Sequence, residues 1–266
     1  NDNVSDNKDV DYNHEANNNE DVDHSHNVDD NNIDDEMNQS DDFSGLDKAE
    51  AMPAAKIIRS SPNKELKRVA ITFDDGPDDD FTPKILDILE EYHVKATFFV
   101  LGSVANKNWD ILKRIDQEGH VVASHSWSHS NFTKISESKA IDELQKTNNL
   151  IEEVTGKTNS LFRLPFGAYN NKVLNTVANQ GFHNIYWSID PRDWSGVSPK
   201  QILNNIKANL EPGAIILLHS SGSKKSIPNT IKALPDIIEF LHGQGYETVT
   251  VPELLEDSLT ADKTID

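Results

Sequence analysis

The sequence predicts an α/β protein: a distorted or incomplete (β/α) barrel preceded by a disordered acidic tail. Three observations carry this. From Lys67 onward, short apolar runs alternate with amphipathic segments of helical period, about six or seven times over, usually with a glycine closing the helix. Such alternation implies a parallel sheet with right-handed crossovers. The alternating region is roughly 190 residues long, short for a full eightfold barrel, so the ring is incomplete or distorted, with an open doubly wound sheet as runner-up. Residues 1–50 are of a different kind, holding 17 Asp and Glu against Lys8 and Lys48, or −15 of the chain's formal −20.

The tail, residues 1–62, is rich in Asn and Asp and too poor in large apolar residues to offset the entropy of ordering. His14, His24 and His26 lie there among acids, where a solvated spacer is the plainer reading than a loose metal site. The remaining 216 residues carry 28 acids against 23 bases. They show no basic patch able to track a phosphate backbone, so no nucleic-acid partner is expected. Cysteine is absent, which excludes thiolate metal sites and a disulfide framework. No run reaches the length of a membrane span. The chain opens at Asn1 without Met or an apolar leader, as a mature exported form would. Monomer is the expected state.

Val69, Ile71 and Phe73 alternate as a strand that stops at Asp74-Asp75-Gly76-Pro77. Thr82-Pro83 opens a helix running to His93, with Ile85, Leu86, Ile88 and Leu89 on one face. Residues 96–100 form the next strand, 108–117 a helix closed by Gly119, and 121–123 a strand leading into His125. A long helix spans 136–155 and ends at Gly156; 161–167 is a short strand with a tight loop. Then come a helix at 171–180, a strand at 183–189, a helix at 199–210 and a fully apolar strand at 214–218. The last helix covers 230–242, with Pro235 expected to bend or interrupt it. A strand at 248–251 and a turn at 252–255 finish the domain, taken as residues 63–258, and 259–266 is a flexible end.

Polar residues fall at the ends of these strands: Asp74 and Asp75, His125 and His129, Arg163, Asp190 and Asp193, and His219. Carboxyl ends of parallel strands form the functional face of a barrel. Adjacent aspartates need a metal, an arginine or a proton role to be buried, though Asp-Asp-Gly-Pro alone is more often a capped turn. Two histidines four apart share one side of a helical turn, and with a carboxylate they make a two-His, one-Asp set. No Gly-rich nucleotide loop is present.

Five motifs in order carry a resemblance: Thr72-Phe73-Asp74-Asp75-Gly76-Pro77, His125-Ser126-Trp127-Ser128-His129, Arg163-Leu164-Pro165-Phe166-Gly167, Asp190-Pro191-Arg192-Asp193-Trp194 and Leu217-Leu218-His219. Together they resemble the NodB-type polysaccharide deacetylases, carbohydrate esterase family four, from about Lys67 to Leu255. The resemblance implies a NodB-homology barrel, an exported or wall-associated setting and an acetylated polysaccharide as substrate. It implies a divalent metal on Asp75, His125 and His129, zinc foremost, with cobalt, manganese, iron or nickel compatible. It further implies Asp74 as general base oriented by Arg163, and His219 as general acid supported by Asp193. Phe166 would offer a backbone N–H to the oxyanion, and Trp194 and Leu217 would shape the acetyl pocket. Two departures, Phe166 where many relatives carry tyrosine and Ser220 where many carry aspartate, bear on the substrate subclass. N-deacetylation of peptidoglycan or chitin-type chains is the leading activity. The rivals are O-acetyl esterase action on xylan and a silent carbohydrate-binding homologue.

Overall fold

Every apolar run expected to be a strand after Lys67 is one, and all pair in parallel within one curled eight-stranded sheet. The computed structural model describes residues 56–256. Residues 1–55 of the expected acidic tail, with its three histidines, and the C-terminal segment 259–266 lie outside the described residues. The strands are β1 (Ile57–Ile58), β2 (Arg68–Asp74), β3 (Thr97–Val100), β4 (Val121–Ser124), β5 (Leu161–Phe162), β6 (His183–Ile185), β7 (Ile215–His219) and β8 (Glu247–Val249). Their order is β1-β6-β5-β4-β3-β2-β7, with β8 also on β2. This is the distorted (β/α) barrel expected. β1 falls on the tail side of the boundary read at residue 62: two β-branched residues in a polar window do not stand out by composition, but they pair with β6.

Alternation along the strands sorts the core into two layers and places the site. Val69, Ile71, Phe73, Phe98, Val100, Ile216 and Leu218 face outward into the helices. Ala70, Phe99, Ala123, Leu161, Ile185 and Ile215 fill the interior. With a period of two, the inward set continues to Asp74 on β2 and His219 on β7, which are register partners. Carried one residue past β4 and β5, the same parity reaches His125 and Arg163. The polar mouth is therefore the last layer of the barrel's own filling.

The helices are α1 (Thr82–Glu91), α2 (Gly102–Ala105), α3 (Trp109–Gln117), α4 (Glu137–Thr155), α5 (Asn171–Asn179), α6 (Pro199–Asn209), α7 (Ile227–Gly243) and α8 (Val251–Leu254). Among the described residues, no helix is long and apolar enough to cross a membrane. Ser136 caps α4 by accepting from the Lys139 N–H, and Gly156 ends it at φ 68°. α8 closes the amino end of the barrel, Val251 donating its N–H to Thr97 Oγ1 at 2.9 Å while Leu254 and Leu255 fill the interior below.

Two elements differ from the expectation. α7 is not interrupted at Pro235 but continues from Ile227 to Gly243. A proline there forfeits one helical hydrogen bond, but Ala233, Leu234, Ile237, Ile238 and Leu241 are fully buried and hold both halves against the sheet. β6 stops at Ile185 rather than 189. The chain then crosses to β7, where the Ser188 and Ile189 N–H groups donate to the Ile215 carbonyl and Ile189 pairs with Ile216. This crossing carries the 190–194 loop to the His219 side.

Phe73 stacks on Phe98 with centroids 5.1 Å apart, between sheet and helices. Phe73→Ala is expected to cost about 3–5 kcal/mol, read from urea unfolding; a cost below about 1 kcal/mol would mean that this layer repacks freely.

Candidate active site

The barrel mouth opens into a cleft of about 410 Å³. Of the ten residues to which the resemblance gives a role, Asp74, Asp75, His125, His129, Phe166, Trp194, Leu217 and His219 line it. Arg163 and Asp193 stand behind it, both fully buried.

The two aspartates have different environments because the chain turns between them. Asp74 ends β2, only 3% exposed, and its Oδ1 accepts from Arg163 Nη1 at 2.6 Å. Asp75 would point to the outer face by alternation, but a left-handed φ of 75° swings it back into the mouth. Its Oδ1 is buried without a hydrogen-bond partner and lies 3.6 Å from Nε2 of both His125 and His129.

The histidines are presented by an irregular turn, not the helical turn that their spacing suggested. Ser126 and His129 both have positive φ, 73° and 58°. His125 Nδ1 lies 2.7 Å from the Arg163 carbonyl, which only accepts, so Nδ1 carries the proton and Nε2 keeps its lone pair for the mouth. Asp75, His125 and His129 each offer one ligand atom within 4.8 Å of the others. Burial raises the Asp75 pKa, against the nearby His125 charge, and lowers those of both histidines. An orphaned carboxylate oxygen facing two neutral imidazole nitrogens is a donor set that fits a divalent cation.

Arg163 is satisfied on every side. Nη1 also reaches Thr72 Oγ1 at 2.9 Å, Nε and Nη2 donate to the Ile185 and Tyr186 carbonyls, and the guanidinium lies 3.9 Å over the Phe99 ring. Its carboxylate partner is Asp74, not Asp193. Asp193 instead serves His219, with Oδ1 at 2.8 Å from Nδ1 and Oδ2 accepting the His219 N–H at 2.9 Å and the Thr230 hydroxyl at 2.9 Å. Burial opposes charge on His219, but the Asp193 bond and the charges of Asp193, Asp74 and Asp75 outweigh it and raise its pKa to about 9.

Phe166 and Trp194 are the exposed flanks, 66% and 51% accessible, on either side of the polar mouth. Phe166 adopts φ 61° and packs 4.3 Å from the His129 ring. Trp194 is steadied by its indole N–H, 3.3 Å from Asp190 Oδ1. Four further lining residues had no role in the sequence reading: Leu164, Gly167, Trp187 and Asp190. Leu164, Gly167 and Asp190 lay inside the motifs and Trp187 near the end of an expected strand, so only their direction was hidden.

Fold and mouth together define a distorted (β/α) barrel with an acidic, histidine-lined cleft at the carboxyl ends of its strands. The chain belongs to the polysaccharide deacetylase family, whose model matches residues 61–185. It is 41% identical over 190 residues to a peptidoglycan-N-acetylglucosamine deacetylase of Bacillus cereus, covering 71% of this chain and 69% of that protein. A chitooligosaccharide deacetylase of Rhizobium leguminosarum bv. trifolii is 37% identical, with 70% and 91% covered. The solved structure of the Bc1960 peptidoglycan N-acetylglucosamine deacetylase superposes with a TM-score of 0.71 at 40% identity, covering 74% of this chain and 92% of that one.

Because the folded pKa of His219 lies above the ordinary 6.5, its charge stabilises the fold fully below pH 6.5, and that stability is lost as pH rises through about 9. Asp193→Asn is expected to bring the His219 titration, followed by NMR of its ring protons, down by about a unit or more. The stability gap between the two proteins should narrow as pH climbs from 6.5 past 9. An unmoved titration would remove Asp193 as the support.

Proposed function

We propose that this protein is a metal-dependent hydrolase removing N-acetyl groups from an amino-sugar polysaccharide, peptidoglycan N-acetylglucosamine or a chitin-type chain, with release of acetate. The observation that carries the reading is the division of labour at Asp74-Asp75. One carboxylate lies 3.6 Å from the Nε2 of both histidines, while its neighbour gives one oxygen to a buried arginine and brings the other within 3.7 Å of His125 Nε2 alone.

Asp75, His125 and His129 would hold the cation, zinc foremost, with cobalt, manganese, iron or nickel compatible. A cation there supplies Lewis acidity, polarising the acetyl carbonyl and easing deprotonation of water. Asp74 Oδ2 is left to accept a proton from the attacking water, while Arg163 fixes Oδ1. The Phe166 backbone N–H faces the developing oxyanion. As the C–N bond breaks, His219, charged below about pH 9, gives its proton to the leaving nitrogen, and Asp193 holds the ring in place. Leu217 and Trp194 enclose the acetyl methyl, with the exposed Trp194 face available to a sugar ring.

The charged His219 supports amide over ester cleavage, since an amine leaves only when protonated and an alkoxide depends on this far less. Residues 63–258, with β1 added in front, form the catalytic domain in this reading. The setting is extracellular or at the cell wall, where the relatives' peptidoglycan substrate lies, and the working unit is a monomer.

Acetate release from N-acetylglucosamine oligomers and from acetylated xylan, assayed in parallel with zinc supplied, tests the proposal. Asp74→Asn should lower turnover of the amino-sugar substrate about 10²–10⁴-fold with zinc still bound. His219→Ala should lower amide cleavage more than any ester cleavage. Release from xylan alone would transfer the protein to the esterases, and no release from either would favour a binding role. Stripping the cation with a chelator should abolish release, and adding zinc back should restore it; activity that survives chelation would end the metal reading.

A further inference from the structure

Glu143 is a carboxylate only 1% exposed, on the inward face of α4, and it does not reach the cleft. A buried acid needs strong partners, and all of its close donors but one come from the turn that presents the histidines. Oε2 accepts the Trp127 N–H at 2.9 Å and the Ser128 N–H at 2.7 Å. Oε1 accepts the Ser128 hydroxyl at 2.7 Å, and Lys139 Nζ stands 3.6 Å away.

Successive N–H groups beside a left-handed residue form a concavity that binds anions. Here Ser126, at φ 73°, opens one, and an internal side chain fills it. α4 grips the same turn once more, with Lys146 Nζ 3.9 Å over the Trp127 ring. That ring also presses against Gly102 of α2, where a Cβ would collide with it and with Thr147 Oγ1.

The two histidines depend on this grip unequally. His125 is secured through its own backbone and ring, by the Val100 carbonyl at 2.9 Å and the Arg163 carbonyl at 2.7 Å. His129 is left-handed at φ 58°, and its N–H reaches only Ser126 Oγ, at 3.1 Å, within the same turn. Its ring leans on the exposed Phe166. What keeps His129 Nε2 facing Asp75 is therefore the shape of residues 126–128, held on its carbonyl side by the Gly102 and Ser103 N–H groups and on its N–H side by Glu143.

We infer that Glu143 is a positioning residue of the cation site, acting through the 126–129 turn to aim His129 at Asp75. The inference rests on the reading that Asp75, His125 and His129 hold a divalent cation. It assigns a site function to a helix that supplies no residue to the cleft.

The test is zinc affinity, by competition with a chromophoric chelator, and the visible spectrum of the cobalt-loaded protein, for wild type, Glu143→Ala, Glu143→Asp and His129→Ala. Circular dichroism and metal-free thermal unfolding establish which variants are folded. Removing groups that orient metal ligands typically weakens metal affinity about 10–100-fold. Glu143→Ala should do the same and shift the cobalt spectrum in the direction that His129→Ala shifts it. Glu143→Asp, its carboxylate withdrawn by one methylene, should fall between Ala and wild type. If Glu143→Ala does not fold, the Asp variant decides by the same comparison. A folded Glu143 variant with wild-type zinc affinity and cobalt spectrum would overturn the inference and leave the cation site standing. Wild type that binds neither zinc nor cobalt would overturn the cation reading itself, and this inference with it.

Discussion

The buried guanidinium of Arg163 is the constraint around which the mouth is built. A cation without water must be surrounded by acceptors, and it takes them from β2 (Thr72 and Asp74) and from the end of β6 (the Ile185 and Tyr186 carbonyls). Its own backbone is bonded on both sides, the N–H to the Ser124 carbonyl and the carbonyl to the His125 ring. One residue just past a two-residue strand thus ties β5 to β2 and β6 through its side chain and to β4 through its backbone. It also fixes one oxygen of Asp74, which approaches His125 alone, whereas Asp75 approaches both histidines.

Around this anchor the backbone is strained where the chemistry is. Five of the six non-glycine residues with positive φ among the described residues are Asp75, Ser126, His129, Phe166 and Arg192, all in loops of the mouth. Such conformations cost of order 1–3 kcal/mol each and persist only when their surroundings over-determine them. The surroundings are visible: Glu143 fills the 126–128 turn, Asp190 accepts the Arg192 N–H, and the Asp74 carbonyl receives the Ser220 N–H beside the Asp75 turn. Rigid strands below and helices behind hold each loop in its shape.

The two protonic groups are tuned by opposite means. His219 is kept charged by a carboxylate that is itself saturated by four donors, the His219 ring and N–H, Thr230 and the Trp194 N–H. Burial lowers the pKa of His125 and of His129 and so favours their neutral forms. One cleft therefore presents a proton donor and two lone-pair donors of the same residue type, separated only by what stands behind each ring.

Much of this was legible in the chain. Alternating apolar runs and capped helices determined a parallel, barrel-like sheet, and the placement of Asp74, His125, Arg163 and His219 just where inward runs end determined that they share one face, because side-chain direction follows local period. The pairs Arg163–Asp74 and Asp193–His219 came from the resemblance and not from local pattern. That the histidine turn is left-handed rather than helical, and that Trp187 and Asp190 line the cleft, depends on how distant strands close. The early end of β6 and its crossing to β7 set those distances. Nothing in the sequence distinguished Glu143 on its long helix; the packing of α4 against the 126–128 turn makes it a buried acceptor. Period and capping are local and can be read along the chain, whereas which carboxylate meets which cation is settled by a ring of strands drawn from residues far apart in sequence.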